Sequence, residues 1–268
     1  MFLEETIRSV LLQHYPNLEY IVMDGGSTDG SVEIIKKYDK HLAYWTSEKD
    51  AGAADAICKG FDRATGSIFA YLNSDDLYLA GAIHELVHRL QATRSGVVYG
   101  NTYWIDEEGR TLAERRQTPF SRLAYLYGGA DLQQPATFWT AEIYRAAGGM
   151  DPSFQCAFDT DIFARFAFYR EKFSHTRRFV ACARVRHSQK TRLLFDTCRE
   201  ETDRIRSRYV WFPVRSVSGA VLRNIGRLQR MVYYLLQGDA LWLFSRIPDR
   251  FWAGTGGGTA TGPKSKWI

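Results

Sequence analysis

Leu18-Glu19-Tyr20-Ile21-Val22-Met23 runs directly into Asp24-Gly25-Gly26-Ser27-Thr28-Asp29-Gly30-Ser31, and the reading of this stretch decides the fold. The β-branched and aromatic run after the Pro16-Asn17 break predicts a strand. The glycine-rich segment predicts a tight turn in which backbone can approach a ligand, and a helix from about Ser31 to Tyr38 follows it. The same order repeats outward. Upstream, helical spacing of Phe2/Leu3, Thr6/Ile7, Val10 and Leu11 predicts an amphipathic helix. Downstream, strands are expected at Leu42–Thr46, Ser67–Leu72 and Val97–Gly100, and helices at Ala53–Arg63 and Ala80–Ala92. Strand–helix alternation predicts an α/β fold with a mainly parallel sheet flanked by helices. In such sheets ligands bind at the carboxyl ends of the strands, where Asp24–Gly30 and Asn73–Asp76 fall.

The pattern is less regular after residue 100. Tyr103–Arg110 reads as strand and turn, Gln133–Trp139 as extended chain, and Ala141–Ala147 as a short helix closed by Gly148-Gly149. Phe158–Tyr169 is an aromatic-rich helix, Phe173–Val185 reads as strands, and Thr191–Arg208 as a charged helix. The expected organisation is a domain over residues 1–210, a helical segment over 211–252 and a glycine-rich flexible tail over 253–268.

The 268 residues are 45% hydrophobic and 24% charged, which excludes wholesale disorder. Cys58, Cys156, Cys182 and Cys198 lie far apart with no C-x-x-C pair, so a disulfide framework or thiolate zinc site is not expected and a reduced, cytosolic setting fits. No 18-residue apolar run predicts a spanning helix, and the opening Met-Phe-Leu-Glu-Glu lacks the layout of a signal peptide. Residues 1–159 carry 14 Lys+Arg and 22 Asp+Glu, and residues 160–268 carry 21 and 8, so a net −8 precedes a net +13. The acidic half suits a metal site and the basic half an anionic partner, or the charges are solvated helix faces. No helix-turn-helix, zinc-finger or RNA-binding signature accompanies the charge, so nucleic acid is not the expected partner.

Five constellations could carry chemistry. Asp24–Gly30 offers a carboxylate and glycines at a strand-to-helix turn, or an ordinary turn with Asp29 as helix cap; it lacks the G-x-G-x-x-G spacing. Asn73-Ser74-Asp75-Asp76 sets adjacent carboxylates at a strand end, where Mg²⁺ or Mn²⁺ would relieve their repulsion, unless they form a solvated turn. Asp159 and Asp161 open the aromatic helix, as caps or with one of them a general base. Arg184–Thr191 clusters Arg, His and Lys after a strand and could cover a diphosphate or lend His187 to a metal. His84-Glu85-Leu86-Val87-His88 fits H-E-x-x-H, with Glu107 or Glu108 as a possible third ligand of a zinc hydrolase, although the apolar stripe Ile83, Leu86, Val87, Leu90 explains the helix without metal.

In this order the segments FLEETIRSVLLQHYPNLEYIVMDGGSTDGSVEII, YWTSEKDAGAADAICKGFDRATGSIFAYLNSDD, QQPATFW, AAGGMDPSF, FDTDIFARFA and RVRHSQKT resemble the family-2 glycosyltransferases, over roughly residues 2–192. The resemblance is to bacterial members that build cell-surface polysaccharides. It implies the GT-A nucleotide-sugar fold and an inverting, metal-dependent transfer from a nucleotide diphosphate sugar, a UDP-sugar first, to a hydroxyl of a glycan or lipid-linked acceptor. It implies that Asp24 reads the base, with Gly25 and Ser27 beside it; that Asp50, Gly52 and Asp55 flank the nucleotide; and that Asn73-Ser74-Asp75-Asp76 is the D-x-D region. In that region Asn73 replaces the first Asp and the register leaves Asp75 and Asp76 both open as ligands of Mg²⁺ or Mn²⁺. It implies Asp159 as the base, with Asp161 the alternative because Phe158 stands where a Glu often is, and His187 as a contact to metal or diphosphate. It also implies a strand ahead of the FLEE-type helix, so a truncated, inactive nucleotide-sugar-binding relic is the alternative reading. Arg223, Arg227 and Arg230, with Leu222, Ile225, Leu228, Val232, Leu235 and Leu236, form a basic amphipathic helix that either packs on the domain or lies on the cytoplasmic face of an anionic membrane.

Overall fold

The computed structural model describes residues 2–127, 130–186, 193–214 and 216–245. His187 and residues 253–268 lie outside the described residues. The strands are β1 (Ile21–Asp24), β2 (Tyr44–Ser47), β3 (Ile68–Phe69), β4 (Leu77–Tyr78), β5 (Val97–Ile105), β6 (Thr111–Arg115), β7 (Thr137–Thr140) and β8 (Phe173–Arg184). The α-helices are α1 (Leu3–Leu11), α2 (Ser31–Lys37), α3 (Ala53–Arg63), α4 (Ala82–Thr93), α5 (Arg122–Leu126), α6 (Ala141–Ala146), α7 (Phe158–Phe168), α8 (Phe195–Tyr209), α9 (Val217–Leu236) and α10 (Ala240–Ser245).

The α/β class holds, but the sheet is mixed rather than mainly parallel. β1 and β2 form a parallel pair, and a second sheet runs β3-β7-β5-β8-β4 with β6 on β5. Within the second sheet only β5–β8 is parallel among the described pairings. Two short connections explain the difference. The Asp106–Arg110 turn, in which Asp106 Oδ1 accepts the backbone N–H of Glu108 and Arg110, is too short for a crossover and folds β6 back on β5. β7 enters antiparallel between β3 and β5, which run in the same direction. β3 covers two residues rather than the expected Ser67–Leu72. It pairs with β7 alone among the described residues, and from Tyr71 onward side chains replace the ladder: Gln134 Nε2 donates to the Tyr71 carbonyl at 2.5 Å.

Apolar clusters cover both faces of the second sheet. On one, Trp139 is fully buried among the rings of Phe61, Tyr71, Phe163 and Phe166, binding α3 and α7 to the strands. On the other, the stripe Ala82, Ile83, Leu86, Val87 and Leu90 of α4 packs with Val98, Phe138 and Val180.

α8 locks the segment ahead of α7. Glu201 is buried, and its carboxylate accepts the backbone N–H of Gln155, Cys156 and Ala157 at 2.8, 3.1 and 3.0 Å. Cys156 and Cys198 form a disulfide there, against the expectation of unpaired cysteines; Cys58 and Cys182 are free. The two partners are 42 residues apart, and only the packing of α8 against α7 brings them together.

The C-terminal segment docks on the domain. Tyr234 donates to the Arg116 carbonyl, and Asp239 pairs with Arg116 and Arg177. Gly226 of α9 meets α5 so closely that a Cβ would sit 2.7 Å from Ala124 Cα. A Gly→Ala change in a free helix stabilises by about 1 kcal/mol, whereas overpacking a contact costs about 1–3 kcal/mol. Gly226→Ala is therefore expected to lower Tm; a rise in thermal denaturation would show that α9 stands free.

Candidate active site

Glu19 sets the level of two strands. Its Oε2 accepts the backbone N–H of Thr65 and Gly66 at 2.8 and 2.9 Å. Glu19 precedes β1 and Thr65-Gly66 precede β3, so both strands start together and their far ends, at Asp24 and toward Asn73, run to one edge.

At the end of β1, Asp24 Oδ2 accepts from Gly26 N, Ser27 N and Ser47 Oγ at 3.1, 2.9 and 2.6 Å. Burial pushes its pKa up, but the hydrogen bonds from Ser27, Ser47 and Gly26 outweigh it, and the net shift is downward. Gly25 leaves room beside it for the Asp50 side chain: a Cβ there would lie 2.5 Å from Asp50 Oδ2. Asp50 is itself held, because its Oδ1 accepts Gly52 N at 2.9 Å. Gly52 has φ +126°, in the region that favours glycine, and opens α3. Asp24, Asp50, Glu48 and Tyr44, with Lys59 and Arg63 of α3, line a cleft of 390 Å³. Asp55 turns to its own helix instead, accepting Ala51 N at 3.0 Å and pairing with Lys59 at 2.7 Å.

The Asn73–Asp76 turn separates the two adjacent carboxylates. Asp76 faces inward: its Oδ1 accepts Arg184 N at 2.9 Å, its Oδ2 accepts Asn73 Nδ2 at 3.2 Å, and it is 4% exposed. Burial, then the neighbouring Asp75 charge, push its pKa up to about 7. The Asp75 carboxylate faces the other way, where Oδ2 meets Arg186 Nε at 2.9 Å and Nη2 at 2.6 Å. Ser74 is exposed, and Asn73 Nδ2 also reaches Gln134 Oε1 at 3.4 Å.

The two acids of α7 part company. Asp161 is buried, pairs with Arg165 at 2.6 Å, and faces a second cleft beside Gly148–Pro152. Asp151 lines the same cleft, whereas Asp24 and Asp50 line the first. Asp159 is half-buried, its Oδ1 accepting Thr160 N at 2.6 Å, and burial raises its pKa. Tyr71 links it to the turn: burial, then Asp159, then Asp76 all disfavour the tyrosinate. Phe158, the neighbour of Asp159, packs its ring on Tyr71 with centroids 6.3 Å apart.

No cluster of three His, Cys, Asp or Glu able to hold a metal occurs among the described residues. The donors of the turn are hard carboxylate oxygens, the kind Mg²⁺ and Mn²⁺ take, and in this structure the Asp75 carboxylate pairs with the Arg186 guanidinium. The H-E-x-x-H reading is overturned: His84 Nε2 contacts the Gln13 carbonyl at 3.2 Å, and Glu85 accepts Thr176 Oγ1 at 2.6 Å. Sequence reasoning missed the roles of Arg184, Glu201 and Gln134, whose partners are remote in sequence.

The family model described as "Glycosyl transferase family 2" matches residues 2–150. The chain belongs to this family. A Mycobacterium tuberculosis protein described as an uncharacterised glycosyltransferase is 30% identical over 169 residues, 62% of this chain and 63% of its own length. TuaG of Bacillus subtilis, a glycosyltransferase assigned to teichuronic acid biosynthesis, is 41% identical over 80 residues, 28% of this chain and 31% of its own length. The match thus spans less than two thirds of these relatives. The family-2 chain also shares its GT-A fold with Staphylococcus aureus TarS 1–349 in complex with UDP-GlcNAc, with TM-score 0.60, 15% identity and 78% and 67% of the two chains covered. The mannosyltransferase PcManGT of Pyrobaculum calidifontis, in complex with GDP-Man and Mn²⁺, covers 95% and 84% with TM-score 0.54 and 15% identity.

Gly25→Ala is expected to push Asp50 off Gly52 N and cost on the order of 1 kcal/mol. In an Asp50→Ala background the same change should cost nearly nothing, because the clash is gone. A double-mutant cycle by thermal denaturation reads the difference; equal costs in both backgrounds would deny the contact.

Proposed function

We propose that this chain transfers a sugar from a nucleotide diphosphate sugar, a UDP-sugar first, to a hydroxyl of a glycan or lipid-linked acceptor, with inversion at the anomeric carbon. The single observation that carries the reading is Asp159, whose pKa burial raises and which opens α7 next to Phe158, the ring that packs on Tyr71 just ahead of the Asn73–Asp76 turn. A carboxylate lifted toward neutrality is a better proton acceptor than an ordinary exposed one. In this reading Asp159 takes the proton of the acceptor hydroxyl as its oxygen attacks from the face opposite the diphosphate, and no covalent sugar–enzyme species forms.

The other residues bind and orient. Asp24, kept ionised by Gly26, Ser27 and Ser47, accepts hydrogen bonds from the base. Gly25 and Asp50 shape the cleft around the nucleotide, and Gly52 opens α3 beside it. Asp76 fixes the turn from inside, which leaves Asp75 to hold Mg²⁺ or Mn²⁺. Such an ion, when bound, neutralises charge on the departing diphosphate. Support comes from similar proteins: TarS complexes carry UDP or UDP-GlcNAc, PcManGT carries GDP-Man and Mn²⁺, and TuaG is assigned to teichuronic acid biosynthesis. Asp159→Asn should lower UDP release by about 10²–10⁴-fold with UDP affinity by calorimetry little changed. UDP binding without turnover in the unaltered chain would favour the inactive-relic reading.

A second observation favours action at the inner face of an anionic membrane. No helix among the described residues is long and apolar enough to cross a bilayer. Yet α9 turns Val217, Val221, Leu228, Val232, Leu235 and Leu236 outward, all exposed, while Gly226 faces α5. Residues 204–238 contain seven Arg and no Asp or Glu. Arg223 and Arg230 are half-buried and Arg227 is exposed, so the outward face itself is apolar and its charge lies at the flank and below. The full chain should float with vesicles rich in phosphatidylglycerol at low salt, and not with phosphatidylcholine vesicles. Absence of flotation with either removes the membrane reading.

A further inference from the structure

Arg184 ends β8 and Arg186 lies two residues beyond it, and both side chains reach the Asn73–Asp76 turn. Their situations differ. Arg184 is 2% exposed. Its Nε donates to the Asp75 carbonyl, its Nη1 to the carbonyls of Asp106 and Glu107, and its Nη2 to Glu5, at 2.8 to 3.1 Å. Moving it would strip a buried guanidinium of these partners, which is strongly disfavoured. The Arg186 side chain is 30% exposed; it pairs with Asp75 and lies 5.5 Å from the Phe2 ring. It can leave for water at far lower cost.

The Asp75 side chain is only 10% exposed, so its carboxylate needs a positive partner nearby. Both Arg186 hydrogen bonds converge on Oδ2. A divalent cation on the same carboxylate would face the guanidinium within a few ångströms. Two positive groups that close in a partly buried site repel strongly, so the two cations exclude one another.

We propose that Arg186 is an internal counter-ion latched on Asp75, which a divalent cation must displace, and whose released guanidinium then turns to the diphosphate of the donor. This rests on the reading of Asp75 as the metal-holding carboxylate. The latch makes Asp75 a weak cation site until a diphosphate arrives to receive Arg186, so cation and donor bind together rather than singly. Arg184 cannot play this part, because its bonds hold the turn in place.

The test is Mn²⁺ alone, with no nucleotide, titrated into the full chain and followed by the paramagnetic resonance of free Mn²⁺. Arg186→Gln is expected to bind Mn²⁺ at least tenfold more tightly than the unaltered chain. Arg186→Lys, which keeps the charge, should lie between them. Asp75→Asn combined with Arg186→Gln should abolish the gain. Equal or weaker Mn²⁺ binding by Arg186→Gln overturns the latch. If Asp75→Asn at the same time removes Mn²⁺ binding, the metal reading of Asp75 survives; if Asp75→Asn leaves it unchanged, that reading fails with the latch. Unchanged thermal denaturation of Arg186→Lys shows that the fold is not what the titration reports.

Discussion

The geometry of the acidic turn depends on one buried guanidinium. Arg184 ties the end of β8 to the Asp75 carbonyl, to the Asp106–Glu107 turn and to Glu5 of α1, while its own backbone N–H holds Asp76. A buried Arg is tolerable only when its donors are paired, so four distant stretches of chain must arrive together. With them in place, the direction of each carboxylate follows.

Burial then sorts acids that look alike. Asp76, enclosed and bonded on both oxygens, does the work of a turn anchor; Asp75, one residue earlier, presents its charge to Arg186. Burial raises the pKa of both acids of α7, and the Arg165 charge pulls against it at Asp161. Asp24 goes the opposite way because three donors surround it. The site thus contains a stabilised carboxylate, a paired one and a strained one, each in the environment its proposed part requires.

The helix that carries Asp159 is supported from behind. Glu201 and the Cys156–Cys198 bond fix the segment that leads into α7, and Tyr125 Oη donates to the Thr160 carbonyl beside Asp159. α9 in turn leans on α5, which carries Tyr125. The C-terminal segment is therefore joined through packing to the place where chemistry is proposed, and its outward apolar face is free of that duty.

The periodicity of apolar residues determined most elements by itself: α3 spans Ala53–Arg63 as read from sequence, and α1, α2, α6 and α7 differ by a residue or so. It also placed the polar clusters at strand ends, because turn residues and β-branched runs are local signals. It did not determine sheet direction after residue 100, where short turns and one inserted strand replaced crossovers. Nor did it determine that Cys156 would meet Cys198, that Arg184 would be interior, or that Asp75 and Asp76 would face opposite ways. Those outcomes rest on partners some 40 to 180 residues away, from Cys156–Cys198 to Arg184–Glu5. Local sequence sets which groups are charged; only the tertiary structure decides which of them lose water and what they find in its place.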